Sequence, residues 1–402
     1  MNGSVRFHRW TGDDDLGLGD HDGTGVLDGA LVLARPRGVR EYDDPHRDAS
    51  PEKYEFATWT SAEVSPGFGF TELVASWNAR TPAGTWLEVA LQTTGPRGTS
   101  PWRLMGRWAE DDGDITPTSV PGQVGPEAVV DVDRLTLPER SPGSSYRMRV
   151  TLMRRPDSDA TPSVSLLGCV VSDLPAGAPD FAEPAGPAER PAAATATGTV
   201  LDVPAYSQRL HLRRYRQWAD GGRSWCSPTA TAMVLDYWGL GPSEADYAWV
   251  DETLPDRFVP YAARHTFDHA YGAAGNWSFN TAYAARFGAV AFVTRLRSLA
   301  EAELFVTAGI PLVVGVAFTR DQLHGAGYDT HGHLAVLAGF DRNGDVVCND
   351  PASHGIASND EVRTTFDRAQ FERAWKRAAG GITYVIRPSG VPLPQAPPEA
   401  NW

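Results

Sequence analysis

The sequence predicts a multidomain chain: an all-β sandwich of jelly-roll type, then an α+β domain. Three observations lead there. Short runs of alternating apolar and polar residues, separated by Gly and Pro clusters, fill residues 1–173. A low-complexity stretch rich in Pro, Ala and Gly occupies 174–198, a composition that buries too little to fold and reads as a linker. From residue 199 onward helical patterns come first and strand patterns after them, an α+β plan.

The first domain opens on a Gly-, Asp- and Arg-rich segment, 1–45, whose one clear apolar run is 30–34. Runs at 54–59, 71–77, 85–92, 102–108, 128–132, 146–153 and 163–168 follow. The alternation over 85–92 is the clearest of them. Turn-forming Pro-Ala-Gly, Gly-Pro-Arg-Gly and Ser-Pro-Gly clusters separate these runs, and no long helical pattern interrupts them. Tryptophans on such strands are expected in the core. Exposed rings would instead make the sandwich a carbohydrate or cell-wall binder.

In the second domain, 199–388, the first helix follows Ser224-Trp225-Cys226-Ser227-Pro228. Ser227 reads as its N-cap and Pro228 as its first residue, where a missing N–H costs nothing. Ala230, Met233, Val234, Tyr237 and Trp238 fall at helical spacing. Helices are also expected over 243–250, 278–287, 299–307 and 366–377, and strands over 312–318, 333–340, 345–349 and 382–386. Asp341-Arg342-Asn343-Gly344 reads as a hairpin turn. The Pro-rich end, 389–402, is expected to be a loose tail.

Composition narrows the function classes. The 402 residues are 42% hydrophobic and 21% charged, ordinary for a globular protein. The net charge of −14 argues against nucleic-acid or anionic-membrane partners, which reward a basic face. No apolar run is long enough to span a bilayer. The amino terminus carries no apolar signal core, so the chain is expected in the cytoplasm if it is the full translated product.

Three cysteines exclude a fully paired disulfide framework. Cys169 and Cys348 sit in apolar strand runs and read as packed residues. Cys226 stands just before a Pro-started helix, where the helix dipole favours a thiolate. A thiolate nucleophile needs a base, a group to orient that base, and donors for an oxyanion. His333 begins one strand and Asp350 ends the next, so the hairpin between them brings the two side by side. The amide of Gln208, upstream, can serve an oxyanion together with the Cys226 N–H. His331 and His333, with His324 and Asp329, form a weaker alternative, a zinc cluster without a firm third ligand. No cofactor or metal is expected.

The order Gln208 … Trp225-Cys226-Ser227-Pro228 … Gly332-His333 … Asn349-Asp350-Pro351 resembles the papain-fold cysteine peptidases of the bacteriocin-leader (double-glycine) type, and more closely their free-standing actinobacterial relatives. The resemblance spans roughly 200–388. It implies a papain-like domain in which Cys226 is the nucleophile, His333 the general base and acid, Asp350 the orienting carboxylate and Gln208 the oxyanion donor, with a thioester intermediate on a peptide or protein substrate. It also implies an exported protein, and relatives carry a β-sandwich ahead of the peptidase part. Gln208 lies eighteen residues before Cys226, further than is usual, so Gln217, nine before, competes for its role. Two other functions stay open. One is cell-wall-peptide amidase or acyl-transfer chemistry on the same fold; the other is an inactive binding protein.

Overall fold

The computed structural model describes residues 4–174 and 196–402, so nearly all of the Pro/Ala/Gly stretch lies outside the described residues. Contacts group the chain into two units. The first takes in Met1–Pro175 with Phe267–Gly272 and Trp402; the second takes in the remainder.

The first unit contains two seven-stranded sheets whose strand pairings are antiparallel. One runs Val129–Asp131, Arg134–Thr136, Glu72–Arg80, Ser163–Ser172, Ala30–Leu33, Thr24–Leu27, with Val5–Thr11 also paired to Ser163–Ser172. The other runs Arg103–Trp108, Thr85–Gly95, Ser145–Arg154, Glu52–Thr60, Asp20–Asp22. Gly38–Tyr42 adds to Glu52–Thr60 in that sheet, and Gly98–Thr99 to Thr85–Gly95. Each of the eight apolar runs read from the sequence falls on a strand. The strand Val5–Thr11 carries little sequence signal because its alternation of Val5, Phe7 and arginines is embedded in the Gly/Asp/Arg-rich opening.

Large rings fill this unit. Trp59, Trp77, Trp86 and Trp108 are fully buried. Trp10 and Trp59, on different sheets, meet edge-to-face at 6.0 Å. Trp102 remains partly exposed, but the Arg149 guanidinium covers its ring at 3.9 Å. These tryptophans are structural, so the expectation of a carbohydrate ligand held by exposed rings finds no support. The alternating run 85–92 departs from a wet-faced strand as well: Thr85 to Leu91 are all buried. Glu88 on its polar side is paired to Arg40 and Arg107, at 2.8 and 3.0 Å, which makes its burial tolerable.

The second unit is built on one six-stranded antiparallel sheet. Its order is Ala289–Arg295, Ile382–Pro388, Leu312–Phe318, Thr330–Phe340, Val346–Asn349, Arg363–Phe366. The helix Cys226–Tyr237 packs against the two strands Leu312–Phe318 and Thr330–Phe340. Trp277–Ala285 packs against Ala289–Arg295, and Arg368–Ala379 against Leu312–Phe318. Arg368–Ala379 shows clear local signals. Asp367 caps its start by accepting from the Gln370 N–H at 2.9 Å, and Gly380 ends it in the left-handed region at φ 64°.

Two expectations fail here. Residues 243–250 form successive turns, not a helix. The Asp246 carboxylate takes both the backbone N–H and the hydroxyl of Ser243, at 2.8 and 2.7 Å, while Arg257 takes the carbonyls of Tyr247, Ala248 and Val250. Side chains thus supply the partners that a helical ladder would have used. Val250 is the only buried residue of the run, so no apolar stripe favours a helix. The helix of this region is instead Phe258–His265.

The second correction concerns the tail, 389–402. Asn401 is fully buried. Its side chain donates to Arg295 O at 2.7 Å and to Glu301 Oε2 at 2.8 Å, and accepts from Arg297 at 3.1 Å. Backbone polar groups at an apolar sheet edge need partners, and this residue supplies them. Among the described residues no helix is long and apolar enough to cross a membrane.

Candidate active site

Cys226 is the first residue of the helix Cys226–Tyr237, with Trp225 in the capping position. This corrects the expected start: Ser227 is not the N-cap and Pro228 is the third helical residue. The shift is harmless because the ladder begins with the Thr229 N–H to Trp225 O, at 3.0 Å, and Pro228 precedes that first needed donor. The Ser227 hydroxyl bonds the Tyr384 hydroxyl at 3.0 Å instead of capping. Residues Ser227 to Leu235 are all buried, so this is a core helix and not a one-faced surface helix. Trp225, also fully buried, donates its indole N–H to Trp218 O at 2.6 Å and fixes the backbone just before the thiol.

Strand register brings in the histidine and the carboxylate. His333 pairs with Val316 inside the sheet, and Val336 pairs with Asn349. One step further sets Asp350 level with Ala335, and His333 is the diagonal neighbour on the same face. The turn expected at 341–344 closes this hairpin. Asp341 accepts from the Asn343 and Asp345 N–H groups at 2.8 and 2.9 Å, and Gly344 sits at φ 83°, where a side chain would be strained.

His333 and Asp350 are both buried, and His333 Nε2 lies 2.7 Å from Asp350 Oδ1. The same oxygen accepts the Ala352 N–H at 2.9 Å, and Oδ2 accepts the Tyr328 hydroxyl at 2.8 Å. With Nε2 committed, Nδ1 is the ring nitrogen left for Cys226. The charges interlock. Burial alone would lower the His333 pKa, but the Asp350 and Cys226 charges outweigh it and raise it to about 10. Burial alone would raise the Cys226 thiol; the His333 charge, hydrogen bonding to that ring, and the backbone of Leu334 and Ser227 bring it below its ordinary range. Asp350 is likewise held low against its burial by His333, Ala352 and Tyr328. Cys226 is partly exposed, whereas Cys169 and Cys348 are buried and their thiols are pushed up by that burial. A partly exposed thiol with a depressed pKa is chemically suited to nucleophilic attack; the other two are packing groups.

Gln208 lies in the short turn Gln208–His211, fastened to the loop after Asp350. Its own N–H donates to Pro351 O at 3.0 Å, and Arg209 donates to Ala352 O at 3.2 Å. The Gln208 side chain is buried and donates to Arg223 O at 2.9 Å, three residues before Cys226. Gln217 is exposed, on a turn. His324 and Asp329, the other members of the zinc alternative, are engaged elsewhere, His324 with Gln370 and Asp329 with Arg320. Among the described residues no group of three or more His, Cys, Asp or Glu gathers as a metal site. Tyr328 was missed from sequence: a lone loop tyrosine five residues before His333 carries no local signal.

A β-rich unit is thus followed by an α+β unit that brings a partly exposed cysteine to a buried His and Asp pair. Residues 6–172 match the family model described as Peptidase C39 N-terminal domain, and residues 200–382 match the Peptidase_C39 like family. The chain belongs to the C39 cysteine-peptidase-like proteins of actinobacterial type. No curated protein matches it. A solved structure, that of infectious bursal disease virus Gt strain, is similar at 14% identity over 42% of this chain and 32% of that chain, with a TM-score of 0.20, too slight to bear on the fold.

Proposed function

We propose that the second unit is a papain-like cysteine peptidase that cleaves a peptide or amide bond through Cys226, His333 and Asp350. The observation that carries this reading is the 2.7 Å bond between His333 Nε2 and Asp350 Oδ1, which leaves the other ring nitrogen to a partly exposed thiol at a helix start. The Cys226 thiolate attacks the scissile carbonyl. The resulting oxyanion is met by the Cys226 backbone N–H and the second side-chain N–H of Gln208, whose first is spent on Arg223 O. His333 gives its Nδ1 proton to the leaving amine, and a thioester remains on Cys226. The neutral imidazole then takes a proton from water, which attacks the thioester and releases the acid. Asp350 stays ionised throughout and holds the ring. Burial and the bond to Arg223 favour Gln208 over the exposed Gln217 for the oxyanion.

The test uses a mixed peptide pool and mass spectrometry. Cys226→Ala is expected to cut hydrolysis roughly 10³-fold or more while leaving the melting temperature within a few degrees. E-64 or iodoacetamide is expected to label Cys226 in the wild type. A protein that cleaves nothing in the pool and leaves Cys226 unlabelled overturns the reading, as does full activity in Cys226→Ala.

A further inference from the structure

The Asp350 carboxylate has two oxygens, and only one is used by His333. Oδ2 accepts the Tyr328 hydroxyl at 2.8 Å. The Tyr328 ring also stands edge-on to the His333 ring at 5.7 Å and to Phe318 at 5.3 Å. Tyr328 therefore touches both members of the pair, one through its hydroxyl and one through its ring. Without the hydroxyl, a buried carboxylate oxygen loses its partner, and among the described residues the remaining tethers, the His333 and Ala352 donors, both converge on Oδ1. A carboxylate held at both oxygens resists rotation about its Cβ–Cγ bond more than one held at Oδ1 alone.

We infer that Tyr328 is a positioning residue that holds the Asp350 carboxylate against His333 Nε2 and so sustains the Cys226–His333 ion pair. This rests on the peptidase reading above. The phenol stays a donor at every working pH, because burial and then the Asp350 charge raise its pKa well above the usual tyrosine range. Among the described residues, the charges that act most strongly on it are those of Asp350, Cys226 and Cys348, and on His333 those of Asp350 and Cys226, with the Tyr328 ring also against the imidazole.

The readout is the rate of iodoacetamide labelling of Cys226 against pH, which needs no knowledge of the substrate. Cys169 and Cys348 are buried and do not interfere in the folded protein. Tyr328→Phe keeps the ring contacts and removes only the hydroxyl. It is expected to raise the apparent Cys226 pKa by about one unit, which slows labelling by up to about tenfold at pH values below the wild-type thiol's midpoint and leaves it unchanged well above both midpoints. The role runs through Asp350, so in an Asp350→Asn background the same substitution is expected to change nothing further. An unchanged or lowered Cys226 pKa in Tyr328→Phe, or an equal loss in both backgrounds, overturns the inference. Should Tyr328→Phe lose its fold, recovery in the Tyr328→Phe/Asp350→Asn double variant supports the coupling, and failure to recover overturns it. The peptidase reading fails separately, and the inference with it, if wild-type Cys226 labels like an ordinary thiol.

Discussion

At the scale of single residues, the site is a contest between burial and charge. Burial pushes the His333 imidazolium toward its neutral form, and the Asp350 and Cys226 charges push back and win, leaving its pKa at about 10. The thiol moves the other way, because the same imidazolium favours its anion. On the proposed mechanism the productive ion pair exists above the depressed Cys226 pKa and below that of His333. The rate of peptide cleavage is expected to hold a plateau from below the ordinary thiol value of roughly 8.5 and to fall as pH rises through about 10. A pH profile of kcat/KM checks this; an alkaline limb near pH 7 would mean that His333 works as an isolated imidazole. Cys226 was legible in the sequence because Cys-Ser-Pro before an apolar helix is an unusual setting for a packed cysteine. Tyr328 was not, because its partner lies twenty-two residues away and only the fold brings the two together.

At the scale of elements, the site stands where a buried helix start meets the end of a hairpin. The hairpin was legible from Asp341-Arg342-Asn343-Gly344, whose turn chemistry is local. The helix was legible too, but its first residue was misplaced by two: proline is tolerated anywhere in a first turn, so Pro228 did not mark the first position. The turn bearing Gln208 depends on an unmarked glycine. A Cβ on Gly222 would stand 2.0 Å from Gln208 O and 2.8 Å from the His211 carbonyl carbon. Backbone atoms cannot yield as a flexible side chain can. Gly222→Ala is expected to cost about 1–3 kcal/mol of stability and to lower kcat by displacing the Gln208 amide, with Cys226 labelling nearly unchanged. Urea denaturation and single-turnover kinetics check both parts; unaltered turnover would separate Gln208 from catalysis.

At the scale of the whole molecule, both units are built on buried rings, with Trp59, Trp77, Trp86 and Trp108 enclosed in the first and Trp225 and Trp375 in the second. The second adds polar ties to its sheet from far along the chain. Asn401 alone bonds Arg295 O, Glu301 and Arg297. Asn401→Ala leaves a buried carbonyl and a carboxylate short of donors and is expected to cost about 1–3 kcal/mol, read as a lower melting temperature with the same Cys226 reactivity. A loss below a few tenths of a kcal/mol would mean that water replaces these bonds. That tail looks loose in sequence because proline-rich segments lack periodicity, and its anchoring depends on a few residues at its end, Glu399 and Asn401 among them, whose partners are about a hundred positions away.

Apolar alternation, turn chemistry and a cysteine before a helix are local properties, and so the sequence by itself determined eight strands of the first unit, the hairpin and the candidate nucleophile. Strand register, the burial that sets each pKa, and the meeting of Tyr328 with Asp350 depend on residues far apart in the chain. Those were decided only by the tertiary structure, because contact and dielectric belong to the packed molecule and not to any window of its sequence.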